Sequence, residues 1–248
     1  MIPVITRANF EVDYLYHHLS LSGIAILIDK DRQWTSFDVV AKLRRLLSIR
    51  RIGHAGTLDP SATGLLIVCA GKATKYISHF QDMTKEYQVE IKLGARTASD
   101  DAETPEYAHQ SIDHLSDADI TGVISQFVGT ILQVPPAYSA VRFHGRRLYD
   151  IARRGESLPT LSPRQVTIYA IKNIQIERPY ARFTIQCSRG TYVRALARDI
   201  GMALGVGAYV TALRRTAIGE YRVEQAWRIH ELAELLRPSH YANISFNS

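Results

Sequence analysis

Two short apolar runs constrain this chain more than any other feature. Residues 23–28 (GIAILI) and 65–70 (LLIVCA) carry no charge, are rich in β-branched residues and stop after six positions. Each therefore reads as a buried strand rather than a helix. Around them the apolar spacing changes period. Thr35-Ser36 precedes Val39, Val40, Leu43, Leu46 and Leu47, the spacing of a capped amphipathic helix. Tyr87, Val89, Ile91 and Leu93 alternate as one face of a strand. Residues 166–176 and 181–187 read as a strand pair, the second setting Ala181, Phe183, Ile185 and Cys187 against Arg182, Thr184, Gln186 and Ser188. A helix is predicted over 115–128, with Ser116 as cap and Gly129 as stop, and Val134-Pro135-Pro136 then opens an irregular basic stretch through Arg154. Thr191 is the expected cap of the next helix, whose apolar stripe is Val193, Leu196, Ala197, Ile200 and Leu204, whose stop is Gly205, and whose first turn holds Arg194. A last helix is expected around 226–236, and 238–248 reads as a loosely attached tail. Strands interspersed with helices, without a βαβ rhythm, predict an α+β domain with a mixed sheet.

With 248 residues, 46% of them hydrophobic, the chain buries a substantial core of its own. Cys69 and Cys187 both sit in strand-like apolar runs, with neither metal-ligand nor disulfide spacing, and read as buried thiols of a reducing compartment. The first residues lack a basic start followed by an apolar segment, and no stretch approaches the ~20 apolar residues of a membrane span. A soluble cytoplasmic protein is expected. The formal charge is +6, and its distribution is uneven. Lys42, Arg44, Arg45, Arg50 and Arg51 form one basic cluster; Arg142, Arg146, Arg147, Arg153 and Arg154 form another; Arg214 and Arg215 a third. The 96–119 stretch is acidic, with Asp100, Asp101, Glu103, Glu106, Asp113, Asp117 and Asp119. This predicts a bipolar surface with a polyanion, RNA, on its basic side.

The segment GHAGTLDPSATG at 53–64 places three glycines and a proline around a single carboxylate, Asp59. Such a loop turns sharply and lets backbone approach a ligand. From the residues alone, an aspartate before proline is a turn or cap residue as readily as a catalyst.

The longer run GHAGTLDPSATGLLIVCAGKATK resembles the catalytic motif of the TruB family of tRNA pseudouridine-55 synthases. The likeness extends through Asp29-Lys30 with Thr35-Ser36, Lys85-Glu86-Tyr87, Pro136-Ala137-Tyr138-Ser139-Ala140, the CSRGTYVR run ending at Arg194, and Leu213-Arg214-Arg215, in the order the family has them. It implies a pseudouridine synthase fold with a central mixed, largely antiparallel sheet flanked by helices and loops. It also implies an activity: uridine is isomerised by breaking the N-glycosidic bond, turning the detached uracil and rejoining it through carbon 5. No cofactor or metal is implied, since neither a redox change nor a group donor is involved.

Residue by residue, the resemblance assigns Asp59 as the catalytic carboxylate. Arg194 offsets the cost of keeping that carboxylate ionised in a pocket that excludes water. Tyr87 stacks on the target uracil and accepts the carbon 5 proton. His54 packs against RNA bases once the target is flipped from its stack, and Leu213 lines the uracil pocket. From the pattern alone Tyr87 and Leu213 are ordinary core residues and Arg194 an ordinary helix-surface arginine. Lys30, Lys72, Arg142, Arg146, Arg147, Arg214 and Arg215 are the candidate phosphate contacts.

Two departures stand out. The family's D-K-P-x-G-x-T-S reads Asp29-Lys30-Asp31-Arg32-Gln33-Trp34-Thr35-Ser36 here, without proline or glycine. The chain also leaves too little sequence for the C-terminal PUA domain of many relatives. The expected organisation is an N-terminal extension over 1–20, a catalytic domain over 21–225, and a C-terminal helix and tail over 226–248. The expected partner is the T-arm of tRNA, met by a monomer without a membrane or an obligate protein partner. The competing readings are a synthase acting on another RNA and an RNA-binding tRNA-folding chaperone without catalysis.

Overall fold

The computed structural model describes residues 2–138, 142–143, 146–147, 154, 156 and 161–236. The chain divides into two units, residues 1–83 with 214–248 and residues 84–213.

The first unit opens with strand β1 (Val4–Ile5) and helix α1 (Val12–Leu21), followed by β2 (Ile24–Lys30), α2 (Ser36–Leu46), β3 (Ile52–His54), β4 (Thr63–Ala70) and, after a 3-10 turn over Gly71–Tyr76, α3 (Ile77–Asp82). β2 and β4 are antiparallel, in register from Ile24↔Ala70 to Lys30↔Gly64. β3 also pairs with β4, and β1 runs parallel to β2. The unbroken apolar runs now have their cause, because these strands are covered on both faces. Ile24, Ile26, Ile28, Leu66 and Val68 pack with Leu15 of α1 and Val39, Val40 and Leu43 of α2. Ala25, Leu27, Leu65, Ile67 and Cys69 pack on the other side with Ala55 and Phe80. α2 starts where expected. Thr35 accepts from the Asp38 N–H, and the Asp38 carboxylate accepts from the Thr35 N–H, a capping box.

In the second unit, β5 (Lys85–Leu93) leads to the short pair β6 (Arg96–Thr97) and β7 (Glu106–Tyr107), then to α4 (Asp117–Ser125), β8 (Gly129–Gln133), the two-residue strands β9 (Arg142–Phe143) and β10 (Arg146–Arg147), β11 (Arg164–Glu177), β12 (Tyr180–Cys187), α5 (Val193–Ala203) and β13 (Ala208–Ile218). β5, β12, β11 and β8 form consecutive antiparallel neighbours. Alternation along β5 and β12 is the expected one: Tyr87, Val89, Ile91 and Leu93 are buried, as are Ala181, Phe183, Ile185 and Cys187. Three details differ from the sequence reading. α4 stops at Ser125, and residues 129–133 form β8, which pairs from Gly129↔Ile168 to Gln133↔Arg164. The helix after Thr191 has no side-chain cap; its N-cap residue is tied to β8, the Tyr192 N–H donating to Gln133 Oε1 at 3.0 Å and Gln133 Nε2 donating to the Tyr192 carbonyl at 3.2 Å. Thr191 Oγ1 instead donates to the Ser188 carbonyl. The unforeseen β13 closes the list.

From Arg214 the chain belongs to the first unit again, where the end of β13 runs parallel to β4 with Arg215 opposite Gly64. β14 (Tyr221–Arg222), β15 (Trp227–Arg228) and α6 (Ile229–Leu235) complete the elements. The fold class is α+β with a mixed, mostly antiparallel sheet, as expected. Among the described residues no helix is long and apolar enough to cross a membrane. Cys69 and Cys187 are buried and form no disulfide, and residues 238–248 lie outside the described part of the chain.

Candidate active site

The loop between β3 and β4 is built to hold one carboxylate still. Ala55, Leu58 and Ala62 are buried anchors, and the Ala55 N–H donates to the Ile67 carbonyl at 2.8 Å. Pro60 presets the turn that follows Asp59, closed by the Ala62 N–H donating to the Asp59 carbonyl at 3.1 Å. Buried Ser36, the first residue of α2, ties the loop down beside the carboxylate. The Leu58 N–H donates to Ser36 Oγ at 2.9 Å, and Ser36 Oγ donates to the Leu58 carbonyl at 3.2 Å. Asp59 itself is half-buried.

Arg215 braces the same loop from inside. It is 1% exposed. Its Nε donates to the Leu65 carbonyl at 2.7 Å, its Nη2 to the Gly56 carbonyl at 3.2 Å and its Nη1 to the Thr57 carbonyl at 3.5 Å. Lys30 is equally buried, with Nζ donating to the carbonyls of Trp34 at 2.7 Å and Asp31 at 3.0 Å. Burial lowers its pKa to about 8, with Arg215 pushing the same way and the Asp59 charge opposing. Lys30 thus ties down the 31–34 loop, which lacks the family's proline and glycine, from its own side chain. Read from sequence as phosphate contacts, both cations instead have interior positions with their donors turned to backbone carbonyls. Arg214 makes a bidentate pair with Asp29, at 3.0 and 2.8 Å. Lys72 is exposed, its Nζ donating to the Leu21 carbonyl. His54 is half-buried at the end of β3, and its Nδ1 has no hydrogen-bond partner among the described residues. Burial, aided by the Arg215 charge, lowers its pKa, which favours a neutral ring.

The second unit holds Tyr87, Arg194 and Leu213. Tyr87 is buried in β5 opposite Ile185 of β12, and Leu213 is half-buried in β13. Arg194 lies in the first turn of α5 but is only 5% exposed. Its Nη1 donates to the Ser99 carbonyl at 2.9 Å and its Nη2 to the Tyr138 carbonyl at 2.8 Å, while Nε stands 3.6 Å from Asp101 Oδ2. Asp101 is a residue that sequence reasoning placed on an acidic surface. It is 3% exposed instead, and Ser99 Oγ and the Glu103 N–H both donate to its Oδ1. Its place in the polar SDDAET turn gave no sign of an interior role. The side chains of Arg142, Arg146 and Arg147 lie outside the described residues, although their backbones form the β9 and β10 pair.

Comparison with known proteins identifies the fold and the family. The family model described as TruB family pseudouridylate synthase (N-terminal domain) matches residues 44–193, a span that contains the 53–64 loop, Tyr87 and Asp101. The chain belongs to the TruB family of tRNA pseudouridine synthases. The tRNA pseudouridylate synthase B C-terminal domain matches residues 194–242, starting at Arg194. The tRNA pseudouridine synthase B of Chlorobium chlorochromatii is 46% identical over 216 residues, 86% of this chain and 85% of that one. Its counterpart in Chloroherpeton thalassium is 43% identical over 230 residues, 90% and 95% of the two chains. Among solved structures, a Cbf5-Nop10-Gar1 complex aligns with a TM-score of 0.70 at 27% identity, covering 97% of this chain. An H/ACA RNP bound to a substrate RNA aligns with a TM-score of 0.66 at 28% identity, covering 90% of it. This chain spans only 61% and 56% of those two chains. As a TruB-family enzyme it is an isomerase with a pseudouridine synthase fold. The braces from Ser36 and Arg215 converge on the segment just ahead of Asp59, inside the span that the family model matches. Neither brace was foreseen as such from the sequence.

Proposed function

We propose that this enzyme converts uridine 55 in the T-loop of tRNA to pseudouridine, with Asp59 as the carboxylate that acts at the ribose and base. The supporting observation is the 55–62 loop, in which two buried side chains fix the backbone of Gly56 and Leu58, just ahead of a single half-buried carboxylate. In this reaction the bond from ribose C1′ to N1 breaks, a bond from C1′ to C5 forms, the C5 proton leaves and N1 regains a proton. No electrons enter or leave, so a positioned acid-base set suffices. In this reading Tyr87 stacks on the flipped uracil and accepts the C5 proton, and Leu213 lines the base pocket. Arg194 supplies the counter-charge for Asp59. Its two carbonyl acceptors and Asp101 set the direction of its guanidinium. His54, whose pKa burial and the Arg215 charge lower toward a neutral ring, packs against RNA bases. Lys72, Arg142, Arg146, Arg147 and Arg214 meet phosphates, and Lys30 and Arg215 act from behind the loop. The catalytic portion spans 21–225, and the enzyme works as a cytoplasmic monomer on the T-arm.

The test is incubation with an unmodified tRNA transcript and mapping of pseudouridine at single-nucleotide resolution. Conversion at position 55 is expected, abolished in Asp59→Asn while tRNA binding persists. Conversion at another uridine would overturn the site assignment. Full conversion by Asp59→Asn would overturn the role of the carboxylate, and tight binding without any conversion would favour a tRNA-folding chaperone.

A further inference from the structure

Arg194 and Arg198 stand one turn apart on α5, so both side chains leave the same face of the helix. They reach the same two segments. Arg194 donates to the Ser99 carbonyl and to the Tyr138 carbonyl. Arg198 Nη1 donates to Asp100 Oδ2 at 3.0 Å, its Nη2 to the Val134 carbonyl at 2.9 Å and its Nε to Asp199 Oδ1 at 3.1 Å. The two arginines are parallel rungs that fasten residues 99–101 and 134–138 to the helix. All three nitrogens of Arg198 are committed, which leaves it poorly placed to serve an RNA phosphate.

The lower rung also holds a strained residue. Asp100 has φ +59, a left-handed conformation that costs a non-glycine residue roughly 1 kcal/mol. It sits between Ser99, whose carbonyl accepts from Arg194, and Asp101, whose carboxylate faces Arg194. Three contacts keep Asp100 there: the Arg198 guanidinium on its side chain, the Val210 N–H donating to its carbonyl at 3.1 Å and its own N–H donating to the Thr97 carbonyl at 3.4 Å. The Arg198 and Asp100 side chains are 25% and 13% exposed, so the pair is no solvated surface bridge.

We propose that Arg198, through Asp100 and the Val134 carbonyl, is a positioning residue that fixes the acceptors of Arg194 and thereby aims its guanidinium. The proposal rests on the catalytic reading of Arg194. A misdirected counter-charge costs rate even when the substrate still binds, and displacements near 1 Å cost on the order of a hundredfold.

The experiment is a double-mutant cycle on the full chain, read as single-turnover rate and tRNA dissociation constant per folded molecule. Arg198→Met is expected to slow the chemical step about ten- to a hundredfold with little change in affinity, and Arg198→Lys, which reaches Asp100 but cannot span to Val134, to recover part of that loss. In an Arg194→Ala background, Arg198→Met should slow the step no further. A wild-type rate in Arg198→Met, or a loss that adds in full to that of Arg194→Ala, overturns the proposal. A wild-type rate in Arg194→Ala alone would instead sink the catalytic reading beneath it. Should Arg198→Met fail to fold, Asp100→Asn, which keeps the shape and removes the charge, must show the same non-additive loss for the proposal to stand.

Discussion

Ser36 and Leu58 exchange two hydrogen bonds, the Leu58 N–H donating to Ser36 Oγ at 2.9 Å and Ser36 Oγ donating to the Leu58 carbonyl at 3.2 Å. The contact joins the first turn of α2 to the residue before Asp59. Both residues are buried, at 2% and 3% exposure, so no water replaces a lost partner. The capped start of α2 is thereby the fixed point from which the carboxylate is aimed.

Ser36→Ala leaves the Leu58 N–H and carbonyl buried without that partner, a cost of about 1–3 kcal/mol. The expected outcome is a lowered Tm, a rate of pseudouridine formation reduced about tenfold and an unchanged tRNA dissociation constant. A lowered Tm with a wild-type rate per folded molecule would show that the aim of Asp59 is set elsewhere.

Gly64 and Arg215 meet backbone to backbone where β4 and β13 pair. Gly64 has φ +105, and a Cβ there would stand 2.2 Å from the Arg215 carbonyl oxygen and 2.7 Å from its nitrogen. Neither atom belongs to a flexible side chain, so Gly64→Ala is expected to destabilise the fold by more than about 3 kcal/mol, through overpacking and strain together. Denaturant titration should show either a large drop in midpoint or no folded protein. Gly122→Ala is the control. It lies in α4 with nothing within 4 Å of the added carbon, and a gain of roughly 0.5–1 kcal/mol is expected.

Much of the framework was legible in the sequence because its signal is local. The strict alternation of Tyr87 to Leu93 and of Ala181 to Cys187 reports one buried face, and the Thr35-Ser36 cap announces α2. β13 was hidden because AYVTALRRTAI carries two adjacent arginines in mid-strand, a pattern that reads as surface. Arg215 is interior only because the carbonyls of Gly56, Thr57 and Leu65 wait for it, more than a hundred residues away in the chain. Asp101 was hidden for the same reason, since nothing near it names Arg194 as its partner. The α4 end was overrun because Phe127 and Val128 continue the apolar spacing, while the pairing of Gly129 to Gln133 with β11 is non-local. Long-range polar contacts leave no period in the sequence.

The buried and exposed cations should separate in a salt titration of tRNA binding. Arg215 spends its donors on carbonyls inside the fold, whereas Lys72 is exposed. If Lys72 meets a phosphate, Lys72→Ala reduces the slope of log K against log salt by nearly one, about 0.9 for duplex RNA by analogy with B-DNA. Arg215→Met is expected to leave that slope unchanged while lowering Tm and activity, because the carbonyls of Gly56, Thr57 and Leu65 lose their donor. A slope that falls with Arg215→Met would place its guanidinium on RNA after all.

Asp100 gives the protein a stability dependence of identifiable sign. Burial raises its pKa from 3.8 to about 6, against the opposing pull of Arg198 and Arg194. Between those values the folded state keeps a proton that the unfolded chain has released, so this group's contribution makes stability fall as pH rises from about 4 to about 6, and level off above. Asp100→Asn removes the titration. Its stability relative to the parent should therefore increase from pH 4 to pH 7, by on the order of 2–3 kcal/mol at most. Asp199, also raised by burial beside Arg198, is present in both proteins and largely cancels. Urea titrations of the two proteins across that range provide the check, and profiles that stay parallel would show that the Arg198 pair fully offsets the burial of the carboxylate. The expected outcome carries a further consequence: an Asp100→Asn protein that is more stable at neutral pH yet slower in catalysis would mean that the buried charge is held at a cost to the fold for the sake of Arg194.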